Sequence, residues 1–465
     1  MDSRVEAVNQ HWRKILTRGS RLSYAVSKRR RIHTRGSAMP FRVRTATASR
    51  WWSLHTVFNT HCLCRNLYYS ALSKPKWLER KAACSISSSL FIGNSSYGRS
   101  LFASKIIQTG DCILKVPYRV QITADNLLPE IRSLIGEEVG NIAKLATVIL
   151  IEKKLGQVFW TESELEMIRP SSVYQETIDQ KSQIEKDFLA IKHIFECSHQ
   201  SFGDSTYKDF MHACTLVGSR AWGSTNGLAL IPFADFLNHD GVSEAIVMSD
   251  DDKQCSEIIA DRDYAPGEQV LIRYGKFSNA TLMLDFGFTI PYNIYDQVQI
   301  QFDIPKHDPL RDMKLELWHQ YFIPPPEDMK GLSHPVNSFS IKEVKSDSGK
   351  GKGLPQSLRA LARVLSCTTS QEIDNLIAEA AQTDGRLARR PLQDISKEIQ
   401  AHMMLLSLFI QLIEERSVAI MSLDSPSLCG RFSVRKLMAQ DLLQGELRIL
   451  KSASAWLENY CFSMT

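Results

Sequence analysis

The chain has 465 residues, of which 43% are hydrophobic, and this is enough for two or three folded units with buried cores. Its net charge of +5 is unevenly spread, because residues 1–80 hold 17 Lys and Arg against three acidic residues, while the rest of the chain carries a balance of −9. An acidic body lacks the clustered Lys and Arg that DNA or RNA binding needs, so we exclude nucleic acid as a partner.

The N-terminal segment differs in composition from the rest of the chain. No acidic residue occurs from Ala7 to Leu78, while Arg, Ser, Thr and aromatic residues abound. This composition is typical of an organelle transit peptide, and we predict a leader over 1–76 that directs import into a plastid or a mitochondrion. The cluster Lys28-Arg29-Arg30-Arg31 leaves a nuclear signal as the alternative.

The ten cysteines show no paired pattern, as expected for free thiols in a reducing compartment. Cys62 and Cys64 form a close pair, but no second pair follows at ligand spacing, so we predict no metal site. The longest apolar run, Met403 to Ile413, is too short to cross a bilayer, and we expect no membrane association.

From about Trp77 to Ile304 the chain alternates short apolar runs with turn residues, interrupted by a helical block. This pattern predicts an α+β domain over 77–304 with a helical insert at about 126–217, in which Tyr174 to Phe195 is helical. The predicted strands are Leu90–Ile92, Leu101–Ala103, Cys112–Val116, Leu228–Ile231, Ala245–Met248, Glu257–Ala260 and Gln269–Arg273.

Beyond Pro305 the sequence becomes rich in Pro, Gly and Lys, which predicts linker and loop before a helical region. Apolar residues at three-to-four spacing then predict four helical segments. They are Leu358–Leu365, Ile373–Ala381, Leu392–Glu415 and Val434–Trp456. We therefore predict a second, all-helical domain over 305–465.

Three short segments could carry chemistry. In Tyr97-Gly98-Arg99 the glycine lets the backbone turn or approach a ligand closely, although this segment by itself favours a simple hairpin turn. Asn238-His239 closes an apolar stretch and could cap a helix, fill a polar turn or ligate a metal. Tyr274 ends a strand and precedes Phe286-Gly287-Phe288, and a tyrosine in that position is more often a packing residue.

In this order the three segments resemble the SET domain, and specifically the branch that includes the plant Rubisco large-subunit lysine methyltransferases. The resemblance covers roughly 77–304, and the C-terminal helices resemble that branch's substrate-binding domain. It implies a β-rich pseudoknotted core, which is an exception to the rule against threaded chains. It also implies a monomer that transfers a methyl group from S-adenosylmethionine to a lysine of a non-histone, organellar protein, with the chloroplast favoured over the mitochondrion and the nucleus and cytoplasm left open.

The resemblance implies roles for individual residues. Tyr274 matches the catalytic tyrosine, and with Phe286 and Phe288 it would line the substrate channel. The implied cofactor-binding residues are Tyr97, Gly98, Arg99, Arg220, Asp235, Asn238, His239, Phe286, Gly287 and Phe288. The residue types suit this chemistry, because a methyl sulfonium is already electrophilic and needs mainly alignment with a neutral amine and exclusion of water, without a metal.

Two departures from the branch carry expectations. Position 286 holds Phe where the large-subunit enzymes have Tyr, which resembles exchanges that permit higher methylation states. Around Gln157-Val158 an aromatic, Pro-containing segment of the relatives is missing, which predicts a shortened insert with impaired folding or activity. A helical tail also replaces the cysteine-rich tail of histone-type enzymes. Methylation of histidine and a catalytically silent binding module are the alternative functions.

Overall fold

The computed structural model describes residues 76–96, 98–127, 129–152, 160–197, 205–224, 227–321, 338–345, 351–382, 387, 390–423 and 431–464. The predicted leader therefore lies outside the described residues except for its last position, and so do Cys62 and Cys64. Tyr97 and the proposed shortening at Gln157-Val158 are outside them as well. Within the described ranges, no helix is both long and apolar enough to cross a membrane.

The strands of the described chain are short and fall into five small sheets. They are β1 Leu90–Ser95, β2 Gly98–Ala103, β3 Cys112–Pro117, β4 Ile122–Thr123, β5 Ala221–Ser224, β6 Gly227–Leu230, β7 Asn238–His239, β8 Val247–Asp250, β9 Cys255–Ile259, β10 Leu271–Ile272, β11 Gln297–Gln301 and β12 Ser338–Lys342. Each of the seven predicted strand segments overlaps one of these strands. The strands that the sequence did not predict include the two-residue β4 and β7, which are too short to show an apolar run.

Strands β1 to β10, between Leu90 and Ile272, pair with one another and form the strand core of the N-terminal part. β1 and β2 form an antiparallel hairpin, β3 and β8 flank β9, β4 and β5 flank β6, and β7 pairs in parallel with β10. Alternation along β3 places Leu114 and Val116 inside, with Lys115 on the outer face against Glu257 of β9 at 2.8 Å.

The helices are α1 Lys76–Ala82, α2 Pro129–Arg132, α3 Asn141–Glu152, α4 Glu162–Leu165, α5 Ser172–Cys197, α6 Tyr207–Arg220, α7 Asn279–Thr281, α8 Arg311–Tyr321, α9 Gln356–Ser366, α10 Ser370–Ala381, α11 Ile395–Leu423 and α12 Arg431–Met464. A π-helical turn, Leu282–Phe286, follows α7 directly. Helices α2 to α6 lie between β4 and β5 in the sequence, so the strands are split by a helical insert as the sequence predicted. The fold class is therefore the predicted α+β class.

Local chemistry explains where the insert's last helix begins. The hydroxyl of Thr206 accepts a hydrogen bond from the backbone N–H of Asp209, and the Asp209 side chain accepts one from the N–H of Thr206 at 2.8 Å. This reciprocal capping box satisfies donors that a helix start would otherwise leave open. It fixes the register of α6, which ends at Arg220, next to β5.

The C-terminal part has its own core, in which α9 is buried from Leu358 to Ser366 between its neighbours. Inside it, Arg363 donates to both oxygens of Glu398 at 2.8 and 2.6 Å, and both side chains are fully buried. Beyond residue 305 the regular elements of the described residues are helices, except for β12, which pairs antiparallel with β11. This strand belongs to a two-stranded sheet that crosses the predicted boundary at 304.

Helix α12 joins the insert and the strand core to the C-terminal helices. Its residues Met438, Leu442 and Leu443 pack with Ile168 of the insert and Met283 of the π-helical turn in one hydrophobic cluster. The buried carboxylate of Glu164 in the insert forms an ion pair with Arg435 of α12, which is also buried. The two predicted domains thus share an extensive apolar and ionic contact.

Candidate active site

The parallel pair β7–β10 brings together segments that are more than 30 residues apart in the sequence. Asn238 lies opposite Leu271 and His239 opposite Ile272, and the N–H of Asp240 continues the ladder to the carbonyl of Ile272 at 2.9 Å. Because β10 ends at Ile272, Tyr274 emerges beside His239. The structure therefore brings the second and third sequence segments into one place.

The side chain of Tyr274 is held at both ends. Its hydroxyl donates to the carbonyl oxygen of Leu237 at 2.6 Å, and its backbone N–H donates to Nδ1 of His239 at 3.0 Å. Burial raises the pKa of Tyr274 to about 12, with Arg220 opposing and Asp235 supporting the shift. The phenol thus stays protonated at neutral pH, with its oxygen beside a backbone carbonyl.

His239 acts as a hydrogen-bond acceptor at Nδ1, so this nitrogen carries no proton. Burial lowers the pKa of His239 below its ordinary value, against a smaller opposing effect of Asp240. A neutral imidazole with its proton on Nε2 satisfies both observations. His239 therefore orients the backbone at Tyr274 without adding a positive charge to the site.

Aromatic rings surround Tyr274. Its ring centroid lies 5.3 Å from that of Phe286, 6.5 Å from Phe288, 5.1 Å from His239 and 5.8 Å from Trp222. The Trp222 and Phe288 rings meet Tyr274 nearly edge-on, which suits the quadrupoles of the rings. The cluster forms an apolar wall with one hydroxyl and one carbonyl oxygen set into it.

Charged groups approach this wall from the β2 and α6 side. The guanidinium of Arg99 lies 5.6 Å from the ring centroid of Phe236, and Nη1 of Arg220 donates to Ser219 at 2.8 Å. Burial raises the pKa of Asp235 although Arg220 and Arg99 pull it down. Oδ1 of Asp235 is buried and has no hydrogen-bond partner among the described residues.

The glycines singled out in the sequence have left-handed backbones here. Gly98 has φ +95° at the start of β2, and the space where a Cβ would stand is open. Gly287 has φ +75° and ends the π-helical turn between Phe286 and Phe288. A side chain at either position would be strained, so glycine is required for these turns. Tyr97 precedes Gly98 and lies outside the described residues.

The sequence did not single out four groups that complete this arrangement. The Leu237 carbonyl is a backbone atom, so no residue type could have indicated it. Ser95 of β1 accepts from Nδ2 of Asn238 at 3.5 Å, which joins the first segment to the second. Trp222 lies two residues after Arg220, and this proximity was the available signal for it. The ring of Phe277 stacks on Phe286 at 5.5 Å, and its aromatic character beside Tyr274 was the available signal.

Residues 98–275 match the family described as SET domain. Residues 98–275 form a SET domain. The match runs from Gly98 to Gly275, so the SET domain contains the hairpin strand β2, the β7–β10 pair and Tyr274.

Curated relatives include both lysine and histidine methyltransferases. The actin-histidine N-methyltransferase of Homo sapiens is 25% identical over 283 residues, which cover 54% of this chain and 47% of that protein. The chloroplastic fructose-bisphosphate aldolase-lysine N-methyltransferase of Arabidopsis thaliana is 26% identical over 275 residues, which cover 52% of this chain and 56% of that protein. The chain thus spans about half the length of these relatives.

Solved structures share the fold over most of the chain. Rubisco LSMT bound to AdoMet superposes with a TM-score of 0.64 at 21% identity and covers 84% of this chain and 91% of its own. Rubisco LSMT bound to sinefungin and monomethyllysine gives a TM-score of 0.65 over the same shares. The SET-domain fold followed by C-terminal helices is therefore as the sequence predicted.

Proposed function

We propose that the protein is an S-adenosylmethionine-dependent protein methyltransferase that acts on a lysine side chain. The observation that carries this proposal is Tyr274, whose protonated hydroxyl and the Leu237 carbonyl form a pair of oxygens 2.6 Å apart inside an aromatic wall. Oxygens so placed stabilise a methyl carbon that becomes positive during transfer, and the rings exclude water. Tyr274 is the residue to which we assign the catalytic role.

The residues beside this wall fit the proposed cofactor, which supplies a methyl group on a positively charged sulfur when bound. Asp235 offers a buried carboxylate oxygen with no hydrogen-bond partner among the described residues, and a cation would satisfy it. Gly98 leaves the backbone of β2 open to close approach, and Asn238 and His239 present polar groups on the adjoining strand. We propose the same role for Tyr97, Arg99, Arg220 and Phe286-Gly287-Phe288.

The aromatic wall suits an amine acceptor. Lysine has a reference pKa of about 10.4, and an apolar channel disfavours its charged form and so raises the fraction that can react. The rings of Tyr274, Phe286 and Phe288 also offer faces that attract an ammonium or methylammonium group. We therefore propose a lysine acceptor in this channel.

Histidine is the second candidate acceptor, because one of the matching relatives is named for histidine methylation at similar identity. Imidazole is largely neutral near pH 7, so it needs less help than the lysine ammonium to reach the form that can react. Lysine is favoured because both the aldolase-methylating relative and the Rubisco LSMT structures are named for lysine or methyllysine. A chloroplast location rests on the plant relative and on the composition of residues 1–76.

Transfer of tritiated methyl from S-adenosylmethionine into a plastid extract tests the proposed function. A labelled protein band is expected from the wild type and a much weaker one from Tyr274→Phe. Acid hydrolysis of the band distinguishes methyllysine from methylhistidine. The absence of any label with plastid, mitochondrial and cytosolic extracts alike would contradict the proposal and support a silent binding module.

We also propose that Phe286 permits more than one methyl group on the acceptor. Phe lacks the hydroxyl of Tyr. The channel therefore has room for further methyl groups, and it has no hydroxyl at this position that could hold a partly methylated amine by a hydrogen bond. Mass spectrometry of exhaustively reacted substrate is expected to show dimethyl or trimethyl product, and Phe286→Tyr is expected to shift it towards monomethyl. Monomethyl product alone from the wild type would contradict this role.

A further inference from the structure

Helix α12 contacts the segment that follows the aromatic wall. The segment comprises residues 289–296 and begins directly after Phe288. On the helix, Asp441, Gly445 and Arg448 lie at spacings of four and three, which places them on one face. The hydroxyl of Thr289 donates to Asp441 at 2.9 Å, and Nη2 of Arg448 donates to the carbonyl of Asn293 at 2.9 Å.

Asn279 links this segment to the wall. Its side-chain amide donates to the carbonyl of Ile290 at 2.9 Å, and its Oδ1 accepts from the N–H of Ile290 at 2.8 Å. This pair closes the loop that carries Phe286 and Phe288. Asn293 holds the other side of the wall, because its amide donates to the carbonyl of Phe277 at 2.9 Å. Both Asn279 and Asn293 are buried.

Asp296 holds Asn279 in turn. Its Oδ1 accepts from the N–H of Asn279 at 2.8 Å, and Oδ2 lies 3.4 Å from the Asn279 amide nitrogen. The Arg448 guanidinium stands 3.6 Å from Oδ2, and the carboxylate is buried. Asp296 therefore cannot move away from α12 without releasing Asn279, and with it the backbone at Ile290.

Gly445 is where the helix comes closest to this carboxylate. A Cβ at position 445 would lie 2.3 Å from Oδ2 of Asp296, well inside any real contact distance. Glycine is a poor helix former compared with alanine, so its presence in the middle of a 34-residue helix needs a reason. The close approach of Asp296 supplies that reason.

We propose that α12 positions the aromatic wall of the acceptor channel through this contact, with Gly445, Asp296 and Asn279 as positioning residues. The role rests on the proposed function, since the wall is the channel only if a methyl acceptor enters there. Helix α12, one of the C-terminal helices, would then help to set where the acceptor side chain lies during the reaction. The path has three contacts: Gly445 with Asp296, Asp296 with Asn279, and Asn279 with Ile290.

The first experiment compares Gly445→Ala with Gln444→Ala, an exposed neighbour on the same helix. The wild type and both variants carry 4-fluorophenylalanine in place of Phe286, and fluorine NMR reports the ring's surroundings without any turnover. A shifted or broadened resonance is expected for Gly445→Ala and an unchanged one for Gln444→Ala. An identical resonance in all three proteins would overturn the proposal, whether or not the chain is a methyltransferase.

The second experiment measures turnover with S-adenosylmethionine and a pool of synthetic peptides that each contain one lysine. Rates are normalised to the amount of cofactor bound, so that a smaller fraction of folded protein does not lower the measured kcat. Gly445→Ala is expected to lower kcat about 10- to 100-fold, as for a small misplacement of reacting groups, while the Kd for the cofactor stays within twofold. A normalised kcat equal to wild type would contradict the positioning role.

A double-mutant cycle identifies the path. In the Asp296→Ala background the carboxylate is gone, so adding Gly445→Ala is expected to change the fluorine resonance no further. Fully additive changes would show that Gly445 acts by another route, and would overturn the assignment of Asp296. If the peptide pool gives no turnover with wild type, the proposed function is in question while the fluorine spectra still decide the contact.

Discussion

Asp235 in the SET domain and Glu398 in the C-terminal helices are both acidic residues with a buried carboxylate oxygen, and the hydrogen bonds around them differ. Around Glu398, Arg363 donates twice, Tyr460 donates at 2.7 Å, and the N–H of Leu392 adds a bond at 3.2 Å. Around Asp235, Oδ1 has no partner among the described residues. One carboxylate is satisfied by the fold and the other is not.

The pKa values follow this difference. Burial pulls the pKa of Glu398 upward, but the hydrogen bonds and charge of Arg363 outweigh it and hold the pKa below its ordinary value. Burial raises the pKa of Asp235, and the charges of Arg220 and Arg99 do not offset it. A satisfied buried charge supports the fold, whereas a buried carboxylate oxygen without a hydrogen bond indicates a place for a ligand. The following changes test that contrast.

Glu398→Ala is expected to cause the largest loss of stability. It leaves Arg363 buried without a charge partner, and breaking such a pair costs about 3–5 kcal/mol. Urea unfolding followed by circular dichroism measures the loss. Glu196→Ala is the control, because its pair with Lys192 is exposed on both sides and contributes about 0–1 kcal/mol. Equal effects of the two variants would show that the buried pair does not stabilise the C-terminal core.

The two regions also differed in how far the sequence could predict them. Long amphipathic helices carry their periodicity in the sequence. Most of the ends of α9 to α12 were therefore predicted within a few residues, although α11 and α12 continue further than predicted. The pair Arg363–Glu398 was not, because side chains on two separate helices meet only after tertiary packing. Helix α8 was also missed, since Pro- and Gly-rich neighbours indicated linker there.

In the SET domain the candidate residues were predicted and their geometry was not. Asn238, His239 and Tyr274 came from a family resemblance, which neither spacing nor composition would have supplied. The β7–β10 pair that joins them has two residues on each strand, too few for a periodic signal. Phe233 adopts φ +74° just before Asp235, which no propensity predicts for a bulky residue.

Tyr274→Phe is expected to have the next largest effect, on catalysis alone. It removes the hydroxyl that lies 2.6 Å from the Leu237 carbonyl and leaves the ring among its neighbours. Loss of one such polar group lowers kcat about 100-fold. Calorimetry should show cofactor affinity almost unchanged. Tyr292→Phe, which alters an exposed tyrosine, serves as the control; turnover in Tyr274→Phe that matches this control would remove Tyr274 from its role.

Acidification is expected to weaken the C-terminal core. Nε2 of His402 accepts from Nε of Arg359 at 3.0 Å, and its Nδ1 lies 2.8 Å from the carbonyl of Glu398, so the ring is neutral. Burial lowers the pKa of His402 to about 4. Because the folded pKa lies below the unfolded value of about 6.5, stability is constant above that pH and falls as the pH drops towards 4.

Between pH 7 and pH 5 this corresponds to a loss of about 2 kcal/mol in the free energy of unfolding, measured by urea titration at each pH. His402→Leu should flatten the pH dependence although it lowers stability at pH 7. His193→Gln, on the exposed side of α5, should leave the dependence as in wild type. A wild-type slope in His402→Leu would assign the acid sensitivity to other groups.

Asp235→Asn is expected to have the smallest effect on stability and a distinct effect on binding. The exchange keeps the size of the side chain and removes a charge whose Oδ1 has no partner, so the free energy of unfolding should change by less than about 1 kcal/mol. Binding of a cationic cofactor loses its counter-charge, and calorimetry should show a Kd for S-adenosylmethionine raised about tenfold, or about 1.4 kcal/mol. Asp252→Asn, in the exposed turn before β9, should change neither quantity. A large drop in stability with unchanged affinity would mean that Asp235 serves the fold as Glu398 does, and the unsatisfied oxygen would then no longer indicate a ligand.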